Sequence, residues 1–156
     1  MAFKALASDA LVPESPDKLF RDLTRRKFPD VLPHQAQIMQ AYAALPDDLP
    51  DVALQLPTGS GKTLVGLLIA EWRRRKYKER VVYLCPTKQL VHQVVSQAEE
   101  KYGISVATFV GSQRDYPPVS KADFQQAEKI AVHQTAALRR EERGPFSQCL
   151  TAGHGR

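Results

Sequence analysis

Eight consecutive residues, Leu56-Pro57-Thr58-Gly59-Ser60-Gly61-Lys62-Thr63, form a pattern that dictates a chemistry. Glycines at 59 and 61 let the backbone curl until successive N–H groups point into one concavity, which suits an anion. A lysine and a threonine follow at once: an ammonium that can reach the β- and γ-phosphates of a nucleotide, and a hydroxyl that can hold Mg²⁺. Val52-Ala53-Leu54-Gln55-Leu56 predicts a short buried strand before the loop, and Leu64 to Trp72 predicts a helix after it, with its positive dipole end at the loop. Strand, glycine-rich turn and helix are the context a phosphate-binding loop needs. Leu56 stands where glycine is usual, and Gly59 supplies the missing flexibility. A turn that merely caps a helix explains the glycines but not the strand and apolar helix on the correct sides. The expected ligand is ATP with Mg²⁺, held by Pro57, Thr58, Gly59, Ser60, Gly61, Lys62 and Thr63, with Thr63 at the metal.

The elements around this loop alternate. Leu19, Phe20 and Leu23 share a face of a short helix, and Ile38, Met39, Tyr42 and Leu45 recur at helical spacing behind Pro33, a favoured first helical residue. Asp47 to Pro50 predicts a turn. Val81 to Cys85 predicts a strand, apolar at both parities and therefore covered on both faces. An amphipathic helix with Leu90, Val91, Val94, Val95 and Ala98 on one face then runs to a cap at Gly103. Ile104 to Val110 and a segment from Lys129 predict two more strands. Strands alternating with helices imply an α/β domain: a parallel sheet between two helical layers.

Composition sets limits. With 156 residues, 43% hydrophobic and 25% charged, the chain has the size and make-up of one globular domain. No apolar run approaches the roughly 20 residues of a membrane span and no signal-peptide pattern opens the chain, so a cytoplasmic location without membrane contact is expected. Cys85 and Cys149 are too few for a disulfide framework; Cys85, in a strand, reads as an inert buried thiol. His34, His92, His133 and His154 lack metal-ligand spacing and read as surface or packing residues. The net charge of +5 permits a polyanionic partner. Much of that excess lies in Arg73 to Arg80, which reads as a solvated helix end rather than a nucleic-acid patch.

A second stretch, Cys85-Pro86-Thr87, ends a strand and opens a helix, placing a hydroxyl and helix amides at the carboxyl edge of the sheet. Alone this reads as a helix cap. Taken together, Leu56 to Thr63 resembles motif I of superfamily 2 helicases and translocases, and Cys85-Pro86-Thr87 through Leu90 and Gln93 resembles their motif Ia. Gln35 is similar to the glutamine with which those proteins read the adenine edge, and Gly111-Ser112 to their glycine-containing nucleic-acid contact. Ile130 to Leu138 is similar to a later strand and helix start of that domain, with His133-Gln134 where threonines are commoner. The resemblance, closest to DEAD/DEAH-type and restriction-enzyme-like helicases, implies a RecA-like three-layer fold and partners ATP and DNA or RNA. It also implies nucleic-acid contacts at Pro86, Thr87, Gln93, Gly111 and Ser112.

The division expected is an N-terminal extension over 1–31, a partial ATP-binding domain over 32–138 and a poorly ordered tail over 139–156. Hydrolysis requires a carboxylate on Mg²⁺ and a group that orients water. The resembled family supplies them as an Asp-Glu pair after an apolar strand. No such pair follows Lys62: Glu99-Glu100 lies on the amphipathic helix and Glu141-Glu142 in a charge run. The expectation is therefore a domain incomplete at its C-terminal side, truncated before that motif, that binds ATP without hydrolysing it. A stand-alone nucleotide-binding module or small kinase, with Arg139, Arg140 and Arg143 as a lid, is the alternative; it leaves Gln35 and the Pro-Thr helix start without a role.

Overall fold

The computed structural model describes residues 11–135. The expected tail and the arginines of the lid alternative lie outside the described residues. The fold is α/β. A parallel three-stranded sheet in the order β1-β3-β2 is built from β1 (Val82–Cys85), β2 (Val106–Phe109) and β3 (Ile130–Gln134). Cys85 pairs with Gln134 and Phe109 with His133, so the carboxyl ends of all three strands lie along one edge.

Among the described residues five α-helices accompany the sheet: α1 (Pro16–Asp22), α2 (Pro33–Ala43), α3 (Lys62–Tyr77), α4 (Lys88–Ser96) and α5 (Pro118–Gln125). Pro16 and Pro33 sit in the first turns of α1 and α2, where a missing N–H costs nothing. Helix α4 starts at Thr87, whose hydroxyl accepts the Leu90 N–H at 3.2 Å, and runs on as a π-helical stretch, Gln97–Tyr102, to the left-handed Gly103. Leu19, Phe20 and Leu23 are buried as their spacing predicts, and Trp72 Nε1 donates to the Pro13 carbonyl, tying the chain before α1 to α3.

One face of the sheet, through Tyr83, Cys85, Val106, Ile130 and Val132, packs with α1 to α4 into the main core. On the other face Ala107, Phe109 and Ala131 pack with Phe124 of α5 and with Tyr116. That second layer reaches Val82 at the start of β1 but leaves Leu84 45% exposed. The expectation that both faces of β1 are covered is thus corrected at its end: the outer face is covered at Val82 and open at Leu84.

The predicted strand Val52–Leu56 is not formed. Residues 51–57 are irregular, and Val52 and Leu54 are 40% and 41% exposed. A strand exists only by pairing, and among the described residues nothing pairs with this segment. It passes instead over a cavity of about 460 Å³ lined by Tyr42, Leu49, Val52, Leu54, Ile69 and Trp72. Helix α5 was not evident in the sequence, since Pro117-Pro118 reads as a break and only Phe124 is buried.

Three arginines at the basic end of α3 are ion-paired within the segment. Glu71, 4% exposed, takes Arg74 Nη2 and Arg75 Nε each at 2.7 Å, and Glu79 takes Arg73 Nε at 2.5 Å. This agrees with its reading as a helix end. Among the described residues no helix is long and apolar enough to cross a membrane, and no cluster of His, Cys, Asp or Glu could by itself hold a metal ion.

Candidate functional site at the carboxyl edge of the sheet

Helix α3 is followed closely by β1 and packs against it, so its N-terminus lies at the carboxyl edge of the sheet. The loop before it takes two left-handed residues, Gly59 at φ +78° and Gly61 at φ +79°, with Ser60 between them. That alternation is what turns successive amides toward one side. Space beside Gly59 is open: a Cβ there would meet nothing within 4 Å. Lys62 is exposed, and Thr63 and Gly61 are half-buried. A polyphosphate therefore finds glycine amides, a helix N-terminus and an ammonium at one point. The donor set fits the triphosphate. For the metal it offers one hydroxyl, Thr63, which suits an ion that arrives on phosphate oxygens and keeps most of its water.

Gln35 reaches this loop from α2. It is 4% exposed; its Nε2 donates to the Ser60 carbonyl at 2.8 Å, and its Oε1 accepts the Leu32 N–H at 2.9 Å. His34 Nε2 lies 3.3 Å from the same carbonyl. The Ser60 hydroxyl donates to the Pro57 carbonyl at 2.6 Å, closing the loop on itself. Thus Gln35, 22 or more residues upstream of the glycine loop, is brought against it, while Pro57 and Thr58 remain exposed.

Of the other predicted residues, Pro86, Thr87, Gly111 and Ser112 follow strand ends at the same edge, and Gln93 lies further along α4. Pro86 and Thr87 follow β1 and are exposed, as is Gln93 on α4. Gly111 and Ser112 follow β2; the Ser112 hydroxyl accepts the Arg114 N–H at 3.3 Å, and the Asp115 carboxylate accepts the Ser112 N–H at 3.2 Å. Each of the Thr87 and Ser112 hydroxyls uses its oxygen as acceptor for a backbone amide, which leaves its proton to donate outward. Lys88 and Arg114, both exposed beside these hydroxyls, add positive charge that the sequence reasoning did not single out. Proximity to Thr87 and Ser112 was the available signal.

His133 departs from its expected surface or packing role only in how thoroughly it is packed. It is fully buried at the end of β3, stacked on Phe109 at 6.0 Å between ring centres. Its Nδ1 donates to the Gln134 carbonyl at 2.8 Å, and its Nε2 lies in hydrogen-bond contact with the Tyr116 hydroxyl at 3.0 Å. Cys85 is buried, and burial pushes its thiol pKa up, as an inert thiol requires.

A family model for DEAD/DEAH box helicases matches residues 32–149, about three quarters of the chain. The chain belongs to the DEAD/DEAH box helicase family. No curated protein and no solved structure matches it. The matched span begins at Leu32, the residue whose N–H Gln35 accepts, and takes in the glycine loop and all three strands. Domains of this family bind ATP, generally with Mg²⁺, and act on nucleic acid. In this helicase domain one residue behind the nucleotide loop escaped the sequence reading: Tyr83 of β1, packed against the main core with its ring beside Gly66 of α3. Burial holds its phenol pKa above the ordinary value.

Proposed function

We propose that this domain binds ATP·Mg²⁺ at Pro57 to Thr63 and a DNA or RNA strand across Pro86, Thr87, Gln93, Gly111 and Ser112, as the nucleotide-binding part of an ATP-dependent helicase or translocase. One observation carries the reading: two left-handed glycines open onto the first turn of α3, beside an exposed lysine, at the edge where all three parallel strands end. Open α/β sheets bind their ligands at that edge.

Each residue has a part that its chemistry allows. Lys62 supplies a point charge for the outer phosphates, and Thr63 a hydroxyl for the metal. Gln35 has two amide protons and two oxygen lone pairs. Its bonds to Ser60 and Leu32 use one of each, leaving one of each for the N6 and N7 edge of adenine. The outward protons of Thr87 and Ser112 suit phosphate oxygens, as does the charge of Lys88 and Arg114. Beyond Lys62 the sequence has no Asp-Glu pair after an apolar strand, so the activity proposed for this chain is binding without hydrolysis.

Titration calorimetry with ATP·Mg²⁺ tests the reading. Saturable binding by the wild-type chain, lost in Lys62→Ala, is expected. A folded wild-type chain that takes up no heat with ATP·Mg²⁺ would refute it, and nucleic-acid-stimulated phosphate release would refute the limit to binding.

A further inference from the structure

The carboxyl end of β3 stands between the turns that follow β1 and β2, and it is bonded to both. On one side His133 Nε2 meets the Tyr116 hydroxyl at 3.0 Å, with both side chains buried. On the other the Thr135 hydroxyl donates to the Cys85 carbonyl at 3.2 Å. Each tie ends close in the chain to a hydroxyl read as a nucleic-acid contact. Tyr116 follows Asp115, whose N–H donates to the Ser112 carbonyl at 2.9 Å and whose carboxylate takes the Ser112 N–H at 3.2 Å. Cys85 leads into Pro86, whose ring fixes its own φ, and so to Thr87.

The Tyr116–His133 pair is polar in a cluster that is otherwise apolar: Ala107, Phe109, Phe124 and Ala131. Packing on Phe109, 5.0 Å away between ring centres, holds the Tyr116 ring without it. Apolar contact is non-directional, whereas a hydrogen bond demands a distance and an angle. The imidazole is itself fixed, since its Nδ1 donates to the Gln134 carbonyl and its ring stacks on Phe109. The turn over 110–115 is thus held at both ends, by Phe109 in β2 and by Tyr116 against β3. Resting on the reading of Thr87 and Ser112 as contacts to nucleic acid, we infer that His133, Tyr116 and Thr135 are positioning residues for that binding. They act through the turns they hold, and set the separation of the two hydroxyls across β3 so that one strand meets both. Two interstrand spacings make the gap between the ends of β1 and β2 about 10 Å.

The test is the anisotropy of labelled oligo(dT) and oligo(U) strands, titrated with the chain between roughly 50 and 200 mM salt. Tyr116→Phe keeps the ring, Thr135→Val keeps the shape, and each removes one tie. Each should weaken binding about three- to tenfold, the scale of one hydrogen bond. Each should also flatten the plot of log affinity against log salt by about 0.7, the contribution of one phosphate of a single strand. Phe124→Leu is the control for lost stability alone: it loosens the same cluster, leaves both ties, and should keep the wild-type slope. A wild-type slope in either folded tie variant, or the same flattening in Phe124→Leu, would overturn the inference while leaving nucleic-acid binding in place. A folded wild-type chain that binds neither strand would overturn both this inference and the functional reading beneath it.

Discussion

Gly61→Ala is the substitution whose cost the structure defines best. Two penalties combine. Gly61 sits at φ +79°, and a left-handed conformation costs an alanine about 1 kcal/mol. Its new Cβ would also fall well inside van der Waals contact of Gln35 Nε2 and stand 3.5 Å from Cδ. The end of a glutamine side chain normally swings away at little cost. Here it is 4% exposed and bonded at both ends, to the Ser60 carbonyl and the Leu32 N–H, so moving it strands buried polar groups at about 1–3 kcal/mol. Gly61→Ala should therefore destabilise the fold by about 2–4 kcal/mol. Gly59→Ala is the internal control, having the same backbone sign at φ +78° and open space for its Cβ, and should cost about 1 kcal/mol. Equilibrium urea unfolding monitored through buried Trp72 measures both. Gln35→Ala removes the obstacle, so Gly61→Ala in that background should fall to the cost of its control. Equal costs for the two glycines in the wild-type background would refute the account of Gln35 as a fixed wall of the loop.

Other expectations follow from the same geometry. Glu71→Gln removes the charge that Arg74 and Arg75 share beneath α3, and should cost about 2–4 kcal/mol in urea unfolding because Arg74 is largely buried. Tyr116→Phe breaks the bond to His133 and should cost about 1 kcal/mol with the aromatic packing on Phe109 retained. Burial raises the pKa values of Cys85, Tyr83 and Tyr102, so these groups bind protons more tightly folded than unfolded. The stability they contribute is present below their unfolded values and is lost as pH rises through the folded ones. Urea midpoints should accordingly hold near neutrality and decline above about pH 9, less steeply in Tyr83→Phe. For nucleic acid, the anisotropy of a labelled single strand should show weaker binding between roughly 50 and 200 mM salt, with a shallower salt dependence in Lys88→Ala.

The sequence conveyed the local devices well. Pro33 starting α2, Gly103 ending the run from α4, and the apolar faces of α1 and α4 all depend on neighbours a few residues away, which periodicity and capping chemistry record. What failed was non-local. Val52 to Leu56 has the composition of a buried strand, yet a strand is made by its partner, and composition cannot state which partner is near. Leu84 is exposed for the same reason: the cluster around α5 reaches Val82 but not the end of β1. At the candidate site the glycines and Lys62 were legible because a single motif holds them. The grip of Gln35 on Ser60 and the packing of Tyr83 beside Gly66 cross between elements, and local pattern does not state them.

The order of the strands bears on how the chain is made. The central strand, β3, is the last of the three along the chain, and among the described residues β1 and β2 pair with no strand but β3. During synthesis both flanking strands leave the ribosome with no partner, and the sheet can close only once Ile130 to Gln134 has emerged between them. Until then Val82 to Cys85 and Val106 to Phe109 are bare apolar edges, open to pairing with another nascent chain. Helices α1 to α4 can form locally in the meantime, so what is born first is a set of helices waiting for the strand that makes them a domain.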